Sequence, residues 1–99
     1  MAKRVLLHTT DLMFRGKLRA VVTTAGGEVT RKPEEADLIV VEIDSERWED
    51  TVRDGVASGK PVLAFGSHVN VELLRAARAL GAEAVPNSQL EARLAAALS

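Results

Sequence analysis

Polar side chains able to do chemistry follow three apolar runs of this sequence. Residues 5–7, 38–41 and 62–65 are apolar without alternation, which is typical of strands buried on both faces of a sheet. Because the carboxyl ends of parallel strands meet at one edge, where α/β proteins bind ligands, we expect a crevice at that edge. Six side chains are expected to gather there: His8, Asp11, Glu42, Asp44, Ser67 and His68.

Two interpretations of these side chains stay open. Neutral imidazole and carboxylate are ligands for Zn²⁺ or Mn²⁺, so the crevice could bind a divalent metal or a small molecule and could even be catalytic. Five of the six also have a structural explanation: Asp11 caps a helix, Asp44 and His68 begin loops, Glu42 is solvated and His8 ends a strand. We favour the second interpretation, which predicts no metal and no cofactor.

Other catalytic signatures are missing from the sequence. Gly26 and Gly27 follow a predicted helix rather than a strand, so they indicate a helix end and not a dinucleotide-binding loop. Ser67 and His68 are neighbours, but a catalytic Ser–His pair needs a spatial hydrogen bond and an orienting acid. We therefore do not expect an enzyme.

Composition narrows the class of protein. The chain has 99 residues, enough for one domain over residues 1–99, and 46% of them are hydrophobic, as in a globular core. Only three are aromatic, so the core must be built from Val, Leu, Ile and Ala, which suits a parallel sheet packed against helices.

A net charge of −1 gives no bulk attraction to nucleic acid. One basic cluster is interpreted as a solvated face: Lys3, Arg4, Arg15, Lys17 and Arg19.

Two absences in the sequence bear on compartment. There is no cysteine, which excludes disulfides and thiolate chemistry. No apolar run is long enough for a signal peptide or a membrane span. We expect a cytoplasmic protein that does not enter a membrane.

The predicted strands alternate with helices, which indicates a parallel sheet covered on both faces. The weak polar strand at residues 28–31 fits only a sheet edge. Residues 33–36 are too few for a full helix, so the second helix of the alternation is expected to be shortened or missing. Ser88 and Glu91 predict a capping box for the last helix.

Two helices are predicted in more detail. Asp11 is the expected N-cap of the first helix. Trp48, Val52 and Val56 recur on one stripe of a later helix, so Trp48 is expected to pack at least partly against the sheet.

Four segments resemble response-regulator receiver domains. Residues 3–11 (KRVLLHTTD) are similar to their opening, 37–43 (DLIVVEI) to their third strand, 60–68 (KPVLAFGSH) to their fourth and 80–83 (LGAE) to the turn into their fifth. A group of short, stand-alone bacterial receiver-like proteins of unassigned function is similar too. The resemblance implies a flavodoxin-like, doubly wound, five-stranded parallel sheet of order 2-1-3-4-5, with its active edge at the strand carboxyl ends.

Receivers place five groups at that edge, and this sequence departs from the pattern at all of them. The acidic pair that holds Mg²⁺ falls on Thr9 and Thr10, neither of which is an anionic ligand. The phosphoacceptor aspartate falls on Glu42. Its extra methylene carries the carboxylate past the in-line geometry that phosphoryl transfer requires.

The remaining two positions differ as well. The Thr or Ser that ends the fourth strand falls on Gly66, with Ser67 next to it, and the Lys that ends the fifth falls near Asn87 or Ser88. The resemblance with these departures predicts a degenerate receiver, a non-catalytic signalling or protein-interaction module. A glutamate at the acceptor position could also imitate the charge of a phosphorylated aspartate.

A partner surface is also implied by the resemblance. Receivers commonly communicate through their fourth helix, fifth strand and fifth helix, which correspond here to residues 71–80, 84–85 and 90–98. The two helices are rich in Ala and carry mixed charges: Glu72, Arg75, Arg78, Glu91 and Arg93. Such a surface can be self-complementary about a two-fold axis. We expect a protein partner or a second copy of the chain in a homodimer.

Overall fold

Five parallel strands form the central sheet of this protein. The computed structural model describes residues 2–99. The strands are β1 (Arg4–His8), β2 (Glu28–Thr30), β3 (Leu38–Glu42), β4 (Val62–Gly66) and β5 (Glu83–Pro86), in the spatial order β2-β1-β3-β4-β5. This confirms the predicted flavodoxin-like order, with the weak strand β2 at one edge and β3 in the middle.

Helices cover both faces of the sheet, two on each face, and a separate hydrophobic core lies between the sheet and each pair of helices. Helices α1 (Leu12–Thr24) and α4 (Asn87–Leu98) pack on one face, where Leu18, Val22, Leu90 and Leu94 meet alternate strand residues. Helices α2 (Trp48–Ala57) and α3 (Val71–Ala79) pack on the other face. Within residues 2–99, no helix combines the length and apolar character needed to cross a bilayer.

A single 3₁₀ turn, Pro33–Glu35, stands between β2 and β3 where a further helix is expected in this topology. The predicted loss of that helix is confirmed. Val29 packs in the α1/α4 core, so strand alternation turns Glu28 and Thr30 towards the opposite face of the sheet, which has no helix beside β2. That part of the sheet offers little apolar surface for a helix to bury, and a groove of about 450 Å³ lies there instead.

Helix ends follow the predictions in one case and contradict them in another. Asp11 caps α1 as predicted, with its Oδ1 accepting hydrogen bonds from the backbone of Met13 and Phe14 at 2.9 and 3.2 Å. The capping box at Ser88 and Glu91 is wrong. Helix α4 begins at Asn87, and Ser88 lies inside its first turn with no side-chain cap. Pairing of β5 continues to Pro86, which leaves no residue between strand and helix for a separate cap.

The predicted packing of α2 is confirmed at its start. Trp48 and Val52 are buried in the α2/α3 core. Val56 is exposed, which the apolar stripe did not predict, because it lies in the last turn of α2 beside Gly81. Gly55 lets α2 approach the sheet closely: a Cβ there would lie 2.7 Å from Val62 and 2.8 Å from Ile39.

Candidate functional site

A crevice of about 340 Å³ opens where β1, β3 and β4 end. It brings together four of the six predicted residues: Asp11, Glu42, Asp44 and Ser67. The register of the sheet explains this, because Glu42 at the end of β3 pairs with Phe65 one residue before the end of β4. The other polar lining residues are Thr10, Ser45, Asn70 and Asn87.

The two histidines do not join the crevice. Leu7 packs in the α1/α4 core, so strand alternation turns His8 to the opposite face, where its Nε2 lies 2.9 Å from the Glu46 carbonyl oxygen. His68 is exposed and does not line the crevice. Among residues 2–99, no three His, Asp or Glu side chains are grouped so that they could hold a metal ion. The metal-binding alternative therefore gains no support.

A direct hydrogen bond joins Thr9, which follows β1, to Glu42 at the end of β3. The buried Thr9 hydroxyl donates to Glu42 Oε1 at 2.8 Å and accepts from the Asp11 backbone N–H at 3.1 Å. Thr10, the next residue, is exposed on the crevice wall. The carboxylate of Glu42 thus has a hydrogen-bond donor within the chain.

Ile43 fills the space beside Gly66. A Cβ built on Gly66 would overlap Cγ1 and Cδ1 of Ile43, which is buried in the α2/α3 core. The position that ends β4 therefore has room neither for a hydroxyl nor for a methyl group. The sequence did not predict this role of Ile43, because an apolar residue that directly follows β3 looks like any other core residue.

The crevice wall on the β5 side carries an amide rather than an ammonium group. Asn87 lines the crevice and Ser88 does not. Within residues 2–99, Asn87 Oδ1 is a buried side-chain oxygen without a hydrogen-bond donor. No lysine or arginine of this part of the chain lines the crevice. Arg15 lies nearby, but its guanidinium donates to the Thr9 carbonyl oxygen at 3.0 Å.

The loop that follows Glu42 bends sharply. Asp44 and Arg47 adopt left-handed backbone conformations, with φ of 68° and 63°. Asp tolerates this region better than most residues because its short side chain can hydrogen-bond locally. Ser45 donates to the Glu42 carbonyl oxygen from both its backbone and its hydroxyl. This turn brings Asp44 back to the crevice.

The expected partner face, formed by α3, β5 and α4, has several of its charges in use within the chain. Arg78 donates to the Ala84 carbonyl oxygen at 2.9 Å, and Arg93 makes two hydrogen bonds to the carboxylate of Glu83. These bonds hold the pKa of Glu83 below its ordinary value. Arg78 therefore links α3 to β5, and Arg93 links α4 to β5.

The outer charges of that face are Glu72, Arg75 and Glu91, all exposed. Arg75 lies 3.7 Å from Glu72 in an ion pair along α3. A pair this exposed contributes little to stability, so both side chains can rearrange to meet a partner.

Comparison with known proteins identifies the fold. No protein-family model matches the sequence, and no curated protein matches it significantly. Among solved structures, the receiver domain of NtrX from Brucella abortus matches with a TM-score of 0.75 and 14% identity, over 96% of this chain and 93% of that one. Chemotaxis protein CheY4 from Vibrio cholerae matches with a TM-score of 0.75 and 17% identity, over 99% of this chain and 97% of that one.

The chain also matches NtrX from Brucella abortus, with a TM-score of 0.74 and 14% identity over 99% of its own length, but it spans only 28% of the length of NtrX. The fold of this protein is therefore that of receiver domains. At these identities the likeness concerns the fold alone.

Proposed function

We propose that this protein is a receiver-like signalling and protein-interaction module that has lost phosphoacceptor chemistry and is not an enzyme. The observation that carries the proposal is the hydrogen bond from Thr9 to Glu42 at the acceptor position. The Thr9 hydroxyl occupies one acceptor site of the Glu42 carboxylate, and neither Thr9 nor Thr10 offers the anionic ligand that a divalent cation needs.

Two further features support the loss of phosphoryl transfer. The developing charge on a transferred phosphoryl group needs cations, and no lysine or arginine of residues 2–99 lines the crevice. Ile43 occupies the space that the Cβ of a Thr or Ser at position 66 would need. The residues that match the metal-binding pair, the nucleophile, the hydroxyl and the cation of receivers are thus all of other types.

Incubation with acetyl phosphate or phosphoramidate and Mg²⁺ tests this directly. We expect no mass gain in the intact protein, while a receiver domain with an aspartate acceptor, treated in parallel, gains one phosphoryl group. A stable phosphoryl adduct on this chain that disappears in Glu42→Gln overturns the proposal.

The proposal extends to partners. We infer that the protein binds a second copy of itself through α3, β5 and α4, whose outer surface combines exposed alanines, such as Ala79 and Ala92, with charges of both signs. Arg78 and Arg93 are engaged in hydrogen bonds within the chain. Glu72, Arg75 and Glu91 are therefore the charges available to a second copy across a two-fold axis.

The remaining parts of the proposal follow from the sequence. Residues 1–99 act as one domain in the cytoplasm, with neither nucleic acid nor membrane among the partners, because a net charge of −1 favours neither.

A further inference from the structure

Four large apolar side chains are exposed beside Asp11 and Asn70 in the sequence, two residues that line the crevice. Leu12 and Met13, which directly follow Asp11 in the first turn of α1, are 81% and 73% exposed. Val69 and Val71, on either side of Asn70 at the start of α3, are 71% and 47% exposed. Five large apolar side chains of residues 2–99 are exposed in this way, and four of them stand at this one edge of the sheet. Apolar residues concentrated in this way mark an interaction surface.

The crevice itself is rich in hydrogen-bond acceptors. Asp11, Glu42 and Asp44 contribute carboxylates, and Asn87 contributes a buried amide oxygen that has no donor within residues 2–99. Glu42 accepts one hydrogen bond from Thr9, and Asp11 accepts through one oxygen at the start of α1. Both carboxylates therefore keep lone pairs that can accept from a ligand. No lysine or arginine of the described chain lines the crevice to neutralise them.

We propose that this edge of the sheet docks a protein segment in which an arginine is flanked by large apolar residues. The guanidinium enters the crevice between Asp11, Glu42 and Asp44. The flanking apolar side chains cover Leu12 and Met13 on one side and Val69 and Val71 on the other. This role extends the proposed interaction function to a second surface, and it does not depend on self-association through α3, β5 and α4.

The chemistry favours arginine over a free ion or a small amine. A guanidinium is planar, presents five donors and can bind carboxylates in a bidentate manner. It is also weakly hydrated, so it loses less than an ammonium group does when it leaves water. A small ligand would fill the crevice but leave the four apolar side chains uncovered, whereas a peptide segment covers both.

Selection from a displayed library of random heptapeptides on the immobilised full-length protein tests the proposal. We expect enrichment of peptides with an arginine between large apolar residues. For an enriched peptide, measured by fluorescence anisotropy, Glu42→Gln with Asp44→Asn is expected to weaken binding at least about tenfold, because charge-assisted hydrogen bonds are lost. Leu12→Gln with Met13→Gln is expected to weaken it as well.

These variants are chosen to leave the fold intact. Gln at position 42 keeps an oxygen that accepts from Thr9, and Asn at position 44 tolerates the left-handed backbone. Glu49→Gln with Asp50→Asn removes the same charge from exposed positions on α2 and is expected to leave affinity unchanged. Enrichment of acidic or purely apolar peptides, no enrichment, or binding that ignores the changes at positions 42 and 44 overturns the proposal. The sedimentation mass of the free protein, measured separately, reports on self-association alone.

Discussion

Position 66 has no space for a side chain, because Ile43 fills it, and mutation of the two residues tests this contact. Gly66→Ala places a Cβ against Cγ1 and Cδ1 of Ile43 and is expected to cost about 1–3 kcal/mol of unfolding free energy, as overpacking of a core does. In an Ile43→Ala background both clashing atoms are gone, so the same change is expected to cost well under half as much. Urea denaturation followed by the fluorescence of Trp48, the single tryptophan, measures both.

Backbone strain does not complicate this comparison, because Gly66 does not have a positive φ. The coupling energy of the double-mutant cycle isolates the contact between the two residues. Equal costs of Gly66→Ala in the two backgrounds contradict the interpretation that Ile43 replaces a side chain at position 66.

Individual residues differ in how far the sequence reveals them. Asp11 was predicted as a cap because capping is local and depends on its own chain neighbours. The contact of Ile43 with Gly66 joins positions 23 apart and exists only through the register of β3 on β4, which no local pattern contains. The direction of His8 follows from strand alternation, but a fully apolar run does not say which residues face which helices.

Helices α1 and α2 each contain a glycine, and the two are expected to respond oppositely to alanine. Gly16 in α1 has open space where a Cβ would stand, so Gly16→Ala is expected to stabilise the protein by about 0.5–1 kcal/mol through helix propensity. Gly55→Ala in α2 gains the same propensity but pushes a Cβ to 2.7 Å from Val62, and the net effect is expected to be destabilising. Thermal unfolding of the two variants beside wild type decides the signs. A stabilising Gly55→Ala contradicts the close approach of α2 to the sheet.

The ion pair that joins α4 to β5 is expected to make stability depend on pH in acid. Hydrogen bonds from Arg93 lower the pKa of Glu83 in the folded protein below 4.5, the ordinary value. A lowered folded pKa means that the contribution of this carboxylate is complete above its unfolded pKa and is lost as the pH falls through the folded one. Glu83→Gln should therefore be slightly less stable than wild type at neutral pH, since the pair is exposed, and equally stable in strong acid.

Urea unfolding of both proteins across the acid range measures that difference. Glu34→Gln removes an exposed carboxylate outside the proposed partner surface, serves as the control and is expected to stay close to wild type throughout. A difference between wild type and Glu83→Gln that persists in strong acid contradicts an electrostatic origin.

Secondary elements were more predictable than their ends. Apolar runs and helical stripes in the sequence indicate strands and helices because burial imposes them along the chain. The missing helix was predictable too, since residues 33–36 leave no length for one. The capping box at Ser88 failed because continued pairing of β5 up to Pro86 overrides a local capping motif.

For the molecule as a whole, right-handed crossovers between parallel strands leave few topologies open, and the resemblance to receiver domains implied which of them the sheet adopts. Association with other chains has no such constraint, because outward-facing residues obey no packing pattern within the chain. The charges on α3 and α4 illustrate this: the sequence groups Arg78 and Arg93 with Arg75, yet only Arg75 is not bound to β5.

Self-association through α3, β5 and α4 is the last prediction, and sedimentation equilibrium at micromolar concentration tests it. We expect twice the mass of the 10.6 kDa chain and a melting temperature that rises with protein concentration. Arg75→Glu with Ala79→Glu places two like charges on the outer surface of α3 and is expected to give a monomer. Arg53→Glu with Ala57→Glu makes the same changes at the same spacing on exposed positions of α2 and is expected to remain a dimer. A monomeric wild type excludes the homodimer, and a dimer that tolerates the α3 changes places the interface on another face.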